Sequence, residues 1–205
     1  AGGAIYSRSI LQIDNSLFTN NYVESYEVQE WLSAGDYGGA ISTHSYSPVF
    51  SVVRNSTFVG TSAGEGGGIA TLGEHPMDVY NSIFQDNIAT GSETKPLDPS
   101  FSGTGDFFYS NMQGIFTQEI GEDPPDSTNS PGCMDENPLF INAALYDYRP
   151  GAGSPCIDAG DNDFILSLSP DLSGGIRLLD DLATVDTGNG IAPITDMGAY
   201  EFSNP

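Results

Sequence analysis

Three times in its first ninety residues this chain repeats a paired phrase: a glycine-rich turn entering small and branched residues, then an Asn-Ser strand carrying a phenylalanine. The copies are Gly2-Gly3-Ala4-Ile5 with Asn15-Ser16-Leu17-Phe18, Gly38-Gly39-Ala40-Ile41 with Asn55-Ser56-Thr57-Phe58, and Gly66-Gly67-Gly68-Ile69 with Asn81-Ser82-Ile83-Phe84. Self-similarity at a period of a few tens of residues marks a solenoid, because one such unit cannot bury its apolar face alone and must stack on its neighbours. Asn15 and Asn55 are 40 residues apart, and Asn55 and Asn81 are 26 apart. Within each period, short β-branched or aromatic runs such as Val52-Val53 and Val79-Tyr80 are separated by Gly, Asn, Asp or Ser, with no helical spacing between them.

This pattern predicts an all-β solenoid in which each coil holds three short parallel strands and rises one strand spacing, roughly 4.8 Å. Equivalent residues then stack. Asn15, Asn55 and Asn81 are expected to form an amide ladder at an inner turn, and Phe18, Phe58 and Phe84 an aromatic stack in the core. The glycines are expected at corners with positive φ. Residues 1–120 read as coils, with a fourth strand at Phe107-Phe108-Tyr109-Ser110-Asn111, and residues 121–132 are too rich in turn formers to be other than a loop. Residues 121–205 read as a loop-rich C-terminal module closing the end of the solenoid, with apolar runs too short for an independent fold. Because the chain opens inside a repeat, further coils upstream are expected.

Two resemblances add to this reading. The Gly-Gly-Ala-Ile phrases, with Phe18-Thr19-Asn20-Asn21 and Phe84-Gln85-Asp86-Asn87, resemble right-handed parallel β-helix proteins of the pectate-lyase-like and polymorphic surface protein kinds. Phe58-Val59-Gly60-Thr61 departs from the pattern by lacking the asparagine. The resemblance covers about residues 1–90 and implies the fold, since the scaffold carries lyases, hydrolases, adhesins and inert stalks alike. The second rests on Asn137-Pro138-Leu139-Phe140-Ile141, Tyr148-Arg149-Pro150-Gly151, Gly153-Ser154-Pro155-Cys156-Ile157-Asp158-Ala159-Gly160-Asp161 and Asp196-Met197-Gly198-Ala199-Tyr200-Glu201. These phrases resemble the choice-of-anchor Q module, which implies an extracellular or cell-surface address of bacterial type, ahead of an anchoring signal.

Charge narrows the partners. Five Lys plus Arg against 28 Asp plus Glu give a formal charge of −23, which excludes a phosphate-backbone binder and repels an anionic membrane. The acids are spread, 13 in residues 1–120 and 15 in residues 121–205, so they do not form one acidic tail. A solvated surface explains most of them; calcium bridging between carboxylates is the sharper alternative. No secretion signal or long apolar span is present in the sequence.

Candidate sites are three. Asp158, Asp161, Asp163, Asp171, Asp180, Asp181 and Asp196 crowd the C-terminal module, where Asp-rich loops between short strands supply the oxygens that calcium takes. Six of these, Asp158, Asp161, Asp163, Asp171, Asp180 and Asp196, are the candidate calcium ligands. Asp161-Asn162-Asp163 resembles part of a calcium loop, but the glycine and glutamate of an EF-hand are absent; Asx turns are the alternative. The long insertion at 22–37 brings Tyr22, Tyr26, Trp31 and Tyr37 beside Glu24, Glu27, Glu30 and Asp36, a set suited to stacking on sugar rings, or alternatively to covering the solenoid flank. Cys133 and Cys156 enclose 22 residues, so a disulfide there contributes about 3 kcal/mol; two buried thiols are the alternative, and the disulfide is preferred. Zinc is disfavoured, since His44 and His75 lie far from both cysteines in sequence.

Catalysis finds little support in the residues. Arg8, Arg54, Lys95, Arg149 and Arg177 do not cluster, as a lyase acting on uronates needs. Asp14 and Asp78 lie near equivalent strand positions, but the middle copy has Ser51 to Arg54 there and supplies no acid for a hydrolase. No Gly-x-Ser-x-Gly elbow occurs. The sequence thus favours a structural or adhesive surface protein displaying loops toward glycans or cells. A carbohydrate-active enzyme fragment and a filament subunit assembling through coil ends stand as alternatives.

Overall fold

The computed structural model describes residues 2–24, 36–90, 100–114, 130–166 and 169–203. The chain is all-β, and two 3-10 turns, Ala143–Leu145 and Asn162–Phe164, are the only helical segments among the described residues. No helix there is long and apolar enough to cross a membrane.

Three four-stranded parallel sheets dominate, and every repeat contributes one strand to each. The first sheet aligns Ile5–Ser7, Ile41–Ser45, Ile69–Gly73 and Phe101–Ser102. The second aligns Gln12–Asp14, Ser51–Arg54, Met77–Tyr80 and Phe107–Phe108, and the third Leu17–Thr19, Thr57–Val59, Ile83–Gln85 and Asn111–Met112. Register follows the repeated phrases: Ile5 pairs with Ile41 and Ile41 with Ile69, while Phe18 pairs with Phe58 and Phe58 with Phe84. The fourth repeat breaks at a corner, so the single strand expected over Phe107–Asn111 is two strands either side of Tyr109-Ser110. Asp14 pairs with Arg54 and so with Tyr80, while Asp78 pairs with Val52, so the two acids are not equivalent positions.

The interior is filled by side chains that repeat in columns. Phe18, Phe58 and Phe84 stack with ring centroids 4.8 and 4.5 Å apart and planes within 6° and 4° of parallel, the separation of the strands that carry them. Met112 occupies the equivalent place in the fourth repeat. Beside this column lie Ile41 and Ile69 from the first sheet and Val53, Val79 and Phe107 from the second. Each such side chain fully removed from water contributes roughly 1.5–3 kcal/mol.

The corner between the second and third sheets is two residues long in all four repeats, and its first residue is left-handed: φ is 46° at Asn15, 45° at Asn55, 48° at Asn81 and 46° at Tyr109. Asparagine tolerates that conformation because its short amide can bond locally. The ladder expected of these asparagines belongs mainly to the serines that follow them. Ser16 N–H donates to Ser56 Oγ at 3.2 Å, Ser56 N–H to Ser82 Oγ at 3.2 Å, and Ser82 N–H to Ser110 Oγ at 3.1 Å. Each hydroxyl in turn donates to the carbonyl two residues before it, at 2.7 to 3.0 Å. One amide rung is present, from Asn81 Nδ2 to Asn55 Oδ1 at 3.2 Å, whereas Asn15 turns its amide outward.

At the corner leading into the first sheet, Gly38 and Gly66 have φ of 65° and 59°, and a Cβ on Gly39 would stand 2.0 Å from Gly67 O. The glycine pairs are therefore required by close stacking as much as by backbone conformation.

The C-terminal module does not sit only on the last repeat, as its sequence position suggests. It starts there, with Met134 bridging Asn111, then returns along the flank of the third sheet as far as the first repeat. Asn15 donates to Ser169 Oγ and Pro170 O, Thr57 Oγ1 accepts from Ala199 N–H, Asn81 exchanges bonds with Asp161, and Asn111 does so with Glu136. Phe164 stacks on Tyr80 at 3.8 Å. A second apolar cluster of Ile83, Cys156, Ala159 and Met197 seals the seam. The boundary expected at 120/121 lies outside the described residues.

Candidate functional site

The module packs its acids into two groups with different uses. Asp161, Asp171 and Asp196 bind the module's own backbone. Asp161 Oδ1 accepts from Asp163 N–H and Asn189 Nδ2. Asp171 accepts from Ser173 Oγ, Gly175 N–H and Glu201 N–H. Burial works to raise Asp171, but these donors outweigh it and hold the carboxyl below its ordinary range. Asp196 accepts from Asp158 N–H at 2.8 Å and Phe202 N–H at 2.5 Å. Asp163 is exposed at the start of a 3-10 turn. Asp161 thus makes an Asx turn, whereas Asp171 and Asp196 hold backbone more distant along the chain.

Asp196 neighbours Glu201, and the two form a buried pair with Arg177. Arg177 reaches Glu201 at 3.0 Å, the carbonyls of Gly198 and Ala199 at 3.0 Å each, and Asn15 Oδ1 of the first repeat. Arg177 is thus structural, bracing the module against the first repeat. Burial pushes both acids up, Asp196 to about 7 and Glu201 to about 8; the charge of Asp158 adds to it at Asp196 and that of Asp196 at Glu201, and Arg177 opposes both.

The second group is Asp158, Asp180 and Asp186, one carboxylate oxygen of each lying within 4.8 Å of those of the other two. Asp158 is left-handed, with φ of 50°, at the end of the Gly-Ser-Pro-Cys-Ile phrase. Its carbonyl accepts from Thr187 and Gly188 N–H, which draws the loop carrying Asp186 over it. Its Oδ2 accepts from Asp181 N–H at 3.3 Å, which fixes the loop carrying Asp180. Its Oδ1 is buried with no hydrogen-bond partner. Asp180 and Asp186 are exposed. Burial pushes Asp158 up to about 6, and the charges of Asp186, Asp180 and Asp181 add to that against the Asp181 N–H bond.

Of the six acids expected to gather, the structure brings together Asp158 and Asp180 and places the other four elsewhere. Asp186 joins them and was missed by sequence reasoning. Its signal was the turn Asp186-Thr187-Gly188-Asn189-Gly190, in which the Thr187 and Gly188 N–H groups donate to Asp158 O.

The expected cross-link is corrected: Cys133 and Cys156 are free thiols. Cys133 packs against the interior columns, whereas Cys156 lies in the seam with Ile83 and receives Asn111 Nδ2 at 3.2 Å. Burial pushes their pKa values up to about 11 and about 12, which suits packing and not nucleophilic use.

Tyr22 bridges Ser62 and is exposed, and Tyr37 bridges Glu65. Tyr26 and Trp31, the centre of the expected glycan platform, lie outside the described residues. One pair absent from the sequence reading resembles a nucleophile and base: Ser51 Oγ and His75 Nε2 are 2.6 Å apart. Both are buried, Ser51 Oγ also accepts from Leu11 N–H, and burial lowers the His75 pKa, so the pair is a neutral core contact.

No protein-family profile, no curated protein and no solved structure matches the chain.

Proposed function

We propose that the repeats wind as a right-handed parallel β-helix and that the protein is an extracellular or cell-surface element of structural and adhesive role, displaying loops for contact with glycans or neighbouring cells. The hand follows from the near-universal right-handedness of parallel β crossovers. The observation that carries the reading is where chain length varies. Between the second and third sheets every repeat spends two residues, and between the first and second it spends three to five. Between the third sheet and the next repeat's first strand it spends 21 residues at 20–40, 9 at 60–68 and 15 at 86–100. In-register stacking puts the strands that flank all three variable segments at one edge, and the sequence of the longest carries Tyr22, Tyr26, Trp31 and Tyr37. A stack with short corners of nearly constant length and one edge where length varies widely is the division of labour expected of a display scaffold.

The test is incubation of the purified chain with neutral and acidic polysaccharides, scoring both retention on the glycan and release of new chain ends. Retention without new ends, lost on Trp31→Ala, supports the proposal. New ends replace it with a carbohydrate-active enzyme, and no retention on any glycan removes its adhesive half.

A further inference from the structure

We propose that Asp158, Asp180 and Asp186 bind one calcium ion that pins the 180–188 loop to the body of the module. Exposed acids alone mean little on a chain of charge −23, and the inference rests on Asp158. That residue has no solvent exposure, and its Oδ1 has no hydrogen-bond partner, so the fold has desolvated a carboxylate oxygen and left it unanswered. A buried acceptor left unmade destabilises the fold unless something binds it. Two further carboxylates face it instead of a base. The ion pairs among the described residues are Arg54–Asp14, Arg149–Asp147 and Arg177–Glu201, and none involves this cluster.

The dimensions fit a cation. Ligands at 2.3–2.6 Å on opposite sides of calcium stand about 5 Å apart, and the three oxygens here lie within 4.8 Å of one another. All donors are carboxylate oxygens, a set that suits calcium better than zinc, whose sites favour nitrogen and sulfur. One ligand is fixed and buried while two ride on an exposed loop, a forgiving arrangement that suits calcium better than the strict octahedron of magnesium. Water completes the shell on the exposed side. The backbone already holds the loop in place through the N–H bonds from Asp181, Thr187 and Gly188 to Asp158, so little ordering remains to oppose binding.

The experiment is calorimetric titration of calcium, and separately of magnesium, into the chelator-treated full chain, with thermal unfolding measured alongside, for the parent, Asp186→Asn, Asp180→Asn and Asp163→Asn. Both cluster variants alter exposed residues and keep their size, so folding is preserved. The expected result is one saturable site in the parent and in Asp163→Asn, weakened at least ~10-fold in Asp180→Asn and Asp186→Asn. Calcium should raise the Tm of the parent and not that of Asp186→Asn. Many weak ions bound alike by every variant, or no ion at all, overturns the site; magnesium bound as tightly as calcium overturns the choice of metal.

Discussion

Replacing Ser82 by alanine tests whether the serine ladder, and not the asparagines beside it, holds the corner together. Ser82 is fully buried, its Oγ accepts from Ser56 N–H at 3.2 Å and donates to Tyr80 O at 2.8 Å. Tyr80 O keeps a second donor in Asn55 N–H, so its loss is only one net hydrogen bond, roughly 0.5–1.5 kcal/mol. Ser56 N–H has no substitute acceptor in a fully buried site, which adds a desolvation cost of about 1–3 kcal/mol. The sum is about 2–4 kcal/mol. Ser16 supplies an internal control, since it is only partly buried and its hydroxyl donates to Asp14 O at 2.9 Å. Ser16→Ala should therefore cost about 1 kcal/mol or less. Urea unfolding followed by circular dichroism measures both. A Ser82→Ala cost no larger than that of Ser16→Ala would refute the ladder as the source of corner stability.

Two other outcomes follow from the module. Burial raises Asp158, Asp196 and Glu201 above the ordinary carboxylate range, so these three groups hold more protons in the folded chain than in the unfolded one between about pH 4 and pH 8, and outnumber His75, which burial lowers and which acts the other way below about pH 6.5. Stability is then present at the acidic end and falls as pH rises through that window, giving a Tm several degrees lower at pH 8 than at pH 5 in the presence of chelator; a Tm that rises over that interval contradicts the assignment. Phe164→Ala removes the ring stacked on Tyr80 and loosens the module by about 1–2 kcal/mol, read as faster limited proteolysis within 161–191 with the parallel-sheet circular dichroism unchanged, whereas unchanged proteolysis means the stack holds nothing.

What the sequence carried was periodicity, and periodicity is enough for register. The Gly-Gly-x-Ile and Asn-Ser-x-Phe phrases pair residue for residue, because one strand face is buried and a slip of one would expose Phe58 and Phe84. The serine ladder was written in the same phrases but hidden by the asparagines, whose amides invite a ladder in any reading of repeated corners. The path of the module was not legible, since its bonds join residues that share no period, such as Ala199 with Thr57, 142 apart, and Arg177 with Asn15, 162 apart. The acid cluster was half legible for the same reason. Asp158 and Asp180 stood in an Asp-rich stretch, but Asp186 joins them only because Thr187 and Gly188 donate to Asp158 O.

The return of the module to Asn15 has a consequence for how such a chain can change. A stack held by neighbour contacts alone can gain or lose a repeat anywhere, since each new joint resembles the old ones. Here Arg177 meets the first repeat while Asn111 meets Glu136 in the fourth, so the return path is a measuring rod of fixed length. Inserting or deleting one repeat between them shifts the first anchor by a whole strand spacing, roughly 4.8 Å, and strands a buried arginine. Copy number between these anchors is therefore locked.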